Sequence, residues 1–134
     1  MKSLILRKHE VIYLSETGSV TVVRAVNQKK LQKDRLKLNM QIFEIYQAPE
    51  KVCPFGQPGE VRWVRETWVW GIHGADCLYK ADKQDEIFKF TGKWRSSSTM
   101  PQWASRYNVE CTVVKVEQIE GIWSWIVSYK KVGR

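Results

Sequence analysis

The chain has 134 residues, of which 43% are hydrophobic, and its 22 lysines and arginines against 14 aspartates and glutamates give a net charge of +8. This length suits one domain with one core, and no apolar run approaches the ~18 residues of a membrane span. The apolar run near the N-terminus is also too short for a signal peptide. We therefore expect a single globular domain over residues 1–134, located in the cytoplasm.

In the first part of the chain, the spacing of the hydrophobic residues changes several times between a helical and a strand period. The stretch "HEVIYLSETG", which ends in Gly18, predicts a short helix closed by a glycine cap. The next stretch, "SVTVVRAV", is rich in β-branched residues and predicts a strand over Ser19–Val26. If its valine face is buried, Arg24 lies among valines and needs a partner or a polar pocket. Farther on, "MQIFEIYQ" alternates in hydrophobicity and predicts another strand.

Residues 27–39, "NQKKLQKDRLKLN", form the most basic stretch, with five basic residues and one acid. Two interpretations remain open. The segment is a solvated loop or frayed amphipathic turn, or it is an arm from Lys29 to Lys37 that contacts the phosphates of a nucleic acid.

The segment "EVRWVRETWVWG" alternates over at least eight residues from Val61 and predicts a strand. Arg65 and Glu66 lie on opposite faces, so one of them points inward if the strand is central. A buried carboxylate needs a cation, and Arg24 is the candidate partner of Glu66. The pair either fixes the fold, or Arg24, Glu66 and Thr67 form the polar floor of a pocket that reads the edge of a base.

The second half of the chain predicts more strands. "CLYKAD" and "EIFKF" are joined by the polar turn "KQDE", while "TGKWRSSSTMPQWASR" predicts an irregular excursion. "YNVECTVVKVEQIEG" and "IWSWIVSYKKV" then resume the strand pattern. Six or seven strands with one or two short helices predict a mixed, β-rich α+β domain that is mostly antiparallel and barrel-like.

The seven tryptophans have two predicted roles. Trp94 is the candidate for stacking on a base, because Lys93 and Arg95 flank it in an irregular stretch. Core packing is expected of the others that alternate within strands or anchor a loop. These are Trp63, Trp68, Trp103, Trp123 and Trp125.

Three scattered cysteines, with no CxxC pair and only two histidines to supplement them, indicate neither a zinc site nor a disulfide framework. We expect no metal and no cofactor.

Several blocks of the sequence resemble, in the same order, the ASCH-type, PUA-like proteins that tailed phages and prophages encode. The blocks are "LILRKHEV", "GSVTVVRAV", "CPFGQPGEVRWVRETW", "LYKAD", "KWRSSSTMPQWASR" and "WSWIVSYKKV". The resemblance covers nearly the whole chain apart from the basic insert at residues 27–39. It implies a small PUA-like β-barrel of a kind that binds RNA.

The resemblance also implies a candidate enzyme, because some small ASCH proteins deacetylate acetylated cytidine and a relative is described as a ribonuclease. Gly18, Thr21 and Arg24 match the family motif, but Val20 and Val23 stand where the family has its catalytic lysine and threonine. The segment that bears the family's glutamate is missing. Hydrocarbon side chains cannot supply a base or a hydroxyl, so the sequence favours a non-catalytic protein.

The sequence therefore predicts a non-catalytic module that binds RNA or single-stranded nucleic acid. A diverged hydrolase of the same family is the alternative, and binding to a host or phage protein through exposed aromatic residues is a third hypothesis. The predicted ligand-binding residues are Thr21, Arg24, Glu66, Thr67, Lys93, Trp94, Arg95 and Arg106.

Overall fold

The structure, a computed structural model, describes residues 1–70, 77–82 and 93–133. The predicted strand "EIFKF" and the turn "KQDE" before it lie outside these residues. The helices are α1 (Lys8–Thr17), α2 (Gln28–Leu38) and α3 (Ile42–Gln47). The strands are β1 (Ser3–Ile5), β2 (Ser19–Ala25), β3 (Val61–Arg65), β4 (Trp68–Trp70), β5 (Cys77–Tyr79), β6 (Asn108–Ile119) and β7 (Ile122–Val132).

The strands form two sheets. The larger has the order β1-β3-β6-β7-β2 and contains a parallel pair, β1 with β3, while β4 and β5 form a separate antiparallel pair. The prediction of a mixed, strand-rich α+β fold is confirmed. Within the described parts of the chain, these strands form an open five-stranded sheet and a two-stranded sheet, without a closed barrel.

The described residues divide into two compact units, each built from separated parts of the chain. Unit 1 comprises residues 1–20, 61–109 and 130–134, and unit 2 comprises residues 21–60 and 110–129. The unit 1 core includes Leu4, Val11, Leu14, Trp63, Val64, Trp68, Met100 and Val109. The unit 2 core includes Val22, Val26, Leu31, Ile45, Cys111, Trp125, Val127 and Tyr129. Most of the buried side chains in each unit are apolar, as a folded unit requires. No helix in the described ranges has the length and hydrophobicity that crossing a bilayer requires.

Helix α1 is confirmed, together with its glycine cap. The Glu10 carboxylate accepts the backbone N–H of Arg7 at 2.7 Å and so closes the first turn. Gly18 adopts φ +80° and donates its N–H to the Leu14 carbonyl at 2.8 Å, which ends the helix. Val11 and Leu14 are fully buried, so α1 is held by one apolar face.

The loop or frayed turn predicted at residues 27–39 and the strand predicted at residues 40–47 are wrong, while the phosphate-contacting arm stays a prediction. The basic stretch is the helix α2, which begins at an Asn27 side chain that accepts the Lys30 N–H at 3.1 Å. The predicted strand "MQIFEIYQ" is the short helix α3, in which Ile45 is fully buried and Phe43 is 63% exposed. Ile42 and Ile45, three residues apart, share a side of that helix, so the apparent alternation has a helical origin.

The long strand predicted from Val61 is two strands. The chain leaves strand geometry at Glu66–Thr67, so β3 and β4 belong to different sheets. The last two strands, β6 and β7, confirm the prediction for the C-terminal part. They are joined by a two-residue turn in which Glu120 and Gly121 both have positive φ, the geometry that antiparallel hairpins favour.

Candidate functional site

The irregular segment 93–106 of unit 1 is held in place by backbone and hydroxyl groups. Arg95 forms a two-hydrogen-bond bridge with Trp68, at 2.8 and 3.3 Å. The hydroxyl of Thr99 donates to the Ser96 carbonyl at 2.7 Å and accepts the indole N–H of Trp68 at 3.3 Å. From β3, Arg65 donates to the Ser98 carbonyl at 3.3 Å. These bonds define the conformation of a segment that has only short 3-10 turns.

A surface pocket of about 330 Å³ opens in this segment. Its lining consists of two cations, an indole and two hydroxyl side chains: Lys93, Trp94, Arg95, Ser96 and Thr99. The two cationic side chains are exposed, and the indole between them is half-buried. We call this the Trp94 pocket. An aromatic face beside exposed cations and hydroxyl donors can stack on a base and contact its phosphates.

Three tryptophans lie together in unit 1, two from strand β4 and Trp103 from this segment, and we call them the tryptophan cluster. Trp68 is 3% exposed and packs in the unit 1 core with Met100 and Ala104. Trp103 and Trp70 are 59% and 44% exposed, with ring centroids 4.6 Å apart. The expectation that Trp103 packs in the core is therefore wrong. It lies in a 3-10 turn after Pro101, so strand alternation does not apply to it.

Of the other tryptophans expected in the core, Trp63 and Trp125 are buried, which confirms the prediction for both. Trp123 is half-buried and stacks on Tyr46, with centroids 4.3 Å apart. Aromatic packing therefore fills part of each unit.

A second polar group in unit 1 is an ion-pair cluster around Arg106. Its Nε and Nη2 donate to the two oxygens of Glu66, both at 3.0 Å, and Nη1 donates to both oxygens of Asp82 at 2.8 Å. Its guanidinium also lies 4.2 Å from the Tyr79 ring centroid and 5.0 Å from that of Tyr107. The cation expected beside Glu66 was Arg24, and the structure places Arg106 there.

The electrostatics of this cluster follow from burial. Burial raises the pKa of Glu66 above 4.5, and the hydrogen bonds and charge of Arg106 oppose that rise. Burial lowers the pKa of Arg106, but its hydrogen bonds to Glu66 and the charge of that carboxylate outweigh this and hold it above its usual value. Burial also raises the pKa of Tyr79 to about 12. The guanidinium therefore stays charged and the Tyr79 phenol stays neutral at physiological pH.

The predicted site residues fall into different places. Lys93, Trp94 and Arg95 are brought together in the Trp94 pocket. In unit 2, the Thr21 hydroxyl is hydrogen-bonded to that of Ser128 at 2.9 Å, and Arg24 donates to the Val23 carbonyl at 3.1 Å.

In unit 1, Thr67 is half-buried beside Glu66, and its carbonyl accepts the N–H of Lys80 at 3.1 Å. A common pocket for Arg24, Glu66 and Thr67 stays a prediction. Val20 and Val23, the two valines that the sequence comparison singled out, are 3% and 42% exposed.

Helix α2 gives unit 2 its cationic surface. Of its eleven residues, Leu31 is the one that is buried. Its lysines, Lys29, Lys30, Lys33 and Lys37, are all exposed. A helix anchored by one leucine presents most of its circumference to solvent, so these side chains are available to an anionic partner.

Sequence reasoning missed two features of the site, Asp82 as a partner of Arg106 and the exposure of Trp103. Asp82 gave no signal, because it is 24 residues from Arg106 in the chain. The exposure of Trp103 had a signal in Pro101, which interrupts any strand. Within the described residues, no three His, Cys, Asp or Glu side chains are grouped to hold a metal. No family model, curated protein or solved structure matches this chain.

Proposed function

We propose that this chain is a non-catalytic module that binds single-stranded nucleic acid, RNA in particular, through the Trp94 pocket. The observation that carries the proposal is the position of one indole between two exposed cations, Lys93 and Arg95, in a pocket with hydroxyl donors. Indole faces stack on unpaired bases, and neighbouring cations contact the adjoining phosphates.

The charge distribution supports this proposal independently of the pocket. The net charge is +8, and helix α2 adds an exposed lysine surface that can contact phosphates. Phosphate contacts of this kind supply much of the affinity for nucleic acid and make it depend on salt. Arg106 was also predicted to bind the ligand. Since its guanidinium already donates to two carboxylates, the proposal gives it a structural role.

The ASCH-type, PUA-like assignment is part of the same proposal, and so are the barrel-like architecture that it implies and the cytoplasmic location expected from the sequence. Its support is the sequence itself, in which Gly18, Thr21 and Arg24 match the family motif. The diverged hydrolase is disfavoured by the chemistry of the site. Val20 and Val23 offer hydrocarbon at the catalytic positions, and Glu66 is buried in a bidentate pair that leaves it unsuited as a free base.

The test is a titration of labelled single-stranded RNA, single-stranded DNA and duplex, each about ten nucleotides long, at several salt concentrations. The site variant is Lys93→Gln with Arg95→Gln, and the matched control is Lys2→Gln with Lys8→Gln. Lys2 and Lys8 are also exposed, so both proteins lose two positive charges from the surface of unit 1.

We expect the site variant alone to lower the slope of log affinity against log salt, by about 1.4 if each cation contacts one phosphate of a single strand. Equal losses of affinity in the two double variants would show that positive charge acts nonspecifically. That result would refute the Trp94 pocket as the binding site.

A further inference from the structure

We propose that Trp103, supported by Trp70, is a second base-stacking position, so that the ligand is a strand with at least two unpaired bases. This inference rests on the proposed function and deepens it. Trp103 is 59% exposed, the exposure expected of a binding surface rather than of a core residue. Nothing in the sequence pattern assigns it this role.

The position of the Trp103 ring is fixed by its neighbours. The 3-10 turn Gln102–Ala104 carries it, and the side chains of Met100 and Ala104 beside it in the chain are buried. The Trp68 ring meets the Trp103 ring nearly perpendicularly at 6.2 Å, and Trp70 packs against it at 4.6 Å. A ring held in this way loses little conformational entropy when a base stacks on it.

Trp70 and Trp103 lie too close together to hold a ligand between them. Their centroids are 4.6 Å apart and their planes are inclined by 47°, which is contact distance for two indoles. The pair therefore offers an outer surface and cannot enclose a cation as an aromatic cage does. An outer aromatic surface suits a flat base that stacks from the solvent side.

The surroundings of Trp103 favour nucleic acid over an apolar protein partner. Apart from Trp103, the exposed side chains between residues 93 and 106 are cations, hydroxyls and an amide: Lys93, Arg95, Ser96, Ser98, Thr99 and Gln102. Docking of an apolar protein surface calls for a wider apolar patch. Exposed aromatic rings with cations and polar groups beside them are the pattern of single-strand binding.

Trp68 connects the second position to the first. Its backbone forms the bridge to Arg95 in the Trp94 pocket, and its ring contacts Trp103. The Arg95 guanidinium also lies 5.9 Å from the Trp68 ring centroid, so a cation lies beside the aromatic cluster. One strand could place one base at Trp94, a phosphate at Arg95 and a later base at Trp103. A duplex has its bases stacked and cannot do so.

The experiment measures binding of a labelled oligouridine of about ten nucleotides at near-physiological salt, for the wild type, Trp103→Ala and Trp103→Phe. The matched control is Tyr13→Ala, because Tyr13 is a 56% exposed aromatic residue of the same unit. Thermal unfolding establishes that each variant is folded. The oligomeric state is followed by sedimentation in parallel.

We expect Trp103→Ala to weaken binding about 5-fold to 150-fold with the salt slope unchanged, since one stacked base is lost and no phosphate contact is lost. Trp103→Phe keeps a stacking face and retains most of the affinity, and Tyr13→Ala binds as the wild type does.

If Trp103→Ala binds as tightly as the wild type, the second position is refuted and the Trp94 pocket stands. Failure of the wild type to bind at physiological salt would refute the proposed function itself, and this inference with it. Salt-tolerant self-association that Trp103→Ala abolishes would identify a protein interface and also overturn the inference.

Discussion

Removing Arg106 is the sharpest test of how unit 1 is held together. In Arg106→Met, the Glu66 carboxylate, whose side chain is 3% exposed, loses two hydrogen bonds of 3.0 Å and its counter-ion. Breaking a buried pair by removing one partner costs about 3–5 kcal/mol, because the other charge stays buried. Methionine retains part of the packing against Tyr79, so the loss comes mainly from the charge.

The assay is chemical and thermal unfolding of wild type and variant between pH 4.5 and pH 8. At neutral pH we expect a midpoint lower by ~10–20 °C, given ~3–5 °C per kcal/mol for a chain of this size. Burial raises the pKa of Glu66 above 4.5, while the hydrogen bonds and the positive charge of Arg106 oppose that rise. Without Arg106 neither effect remains, so the pKa of Glu66 rises further.

A carboxyl group with a raised pKa in the folded state stabilises the fold most when it is protonated in both states, below pH 4.5. That contribution is lost as the pH rises through the folded-state pKa. The deficit of Arg106→Met is therefore expected to be smallest near pH 4.5. With rising pH, the stability deficit should then grow by about 1.4 kcal/mol for each unit by which the pKa of Glu66 in the variant exceeds its pKa in the wild type.

Two further variants check the reasoning. Asp82→Asn removes a carboxylate that is 51% exposed, so we expect a loss of at most about 1 kcal/mol. Adding Glu66→Gln to Arg106→Met removes the stranded charge and should recover part of the stability. A deficit for Arg106→Met below about 1 kcal/mol, or one independent of pH, would show that the pair is not the buried charge interaction described above.

Two other predictions concern stability alone. Leu31→Ala removes the buried residue of helix α2 and should cost about 2–5 kcal/mol of stability, with loss of helical circular dichroism. Leu36→Ala, at a 69% exposed position, is the control and should cost little. Equal effects of the two substitutions would mean that Leu31 does not anchor the helix. Gly121→Ala forces an L-residue into φ +80° in the β6–β7 turn and should cost about 1–2 kcal/mol by urea unfolding, while Gly133→Ala, without a positive φ, is the control that should stay near zero.

Where the sequence predicted structure correctly, the signal was local. The β-branched run of β2 and the long alternation of β6 and β7 need only the two-residue period of a strand. The end of α1 needed a residue that tolerates positive φ, and Gly18 supplies it. These features are set by neighbouring residues, so they can be read from the chain without knowing what packs against it.

The wrong predictions arose where a short pattern suits two structures. Residues 42–45, "IFEI", alternate roughly as a strand does, but Ile42 and Ile45 also share one side of a helix, and burial of Ile45 decided for the helix α3. Helix α2 carries too few apolar residues to show a helical period. Its Asn27 cap and its Leu31 anchor stabilise it instead.

The sequence by itself determined the charge, the hydrocarbon side chains at Val20 and Val23, and the candidate segment Lys93–Arg95, because these depend on residue identity. Only the tertiary structure decided which charge faces Glu66 and which tryptophan faces solvent. Those outcomes depend on residues distant in the chain that approach one another on folding, as Arg106 and Trp103 do, and no local period encodes such contacts.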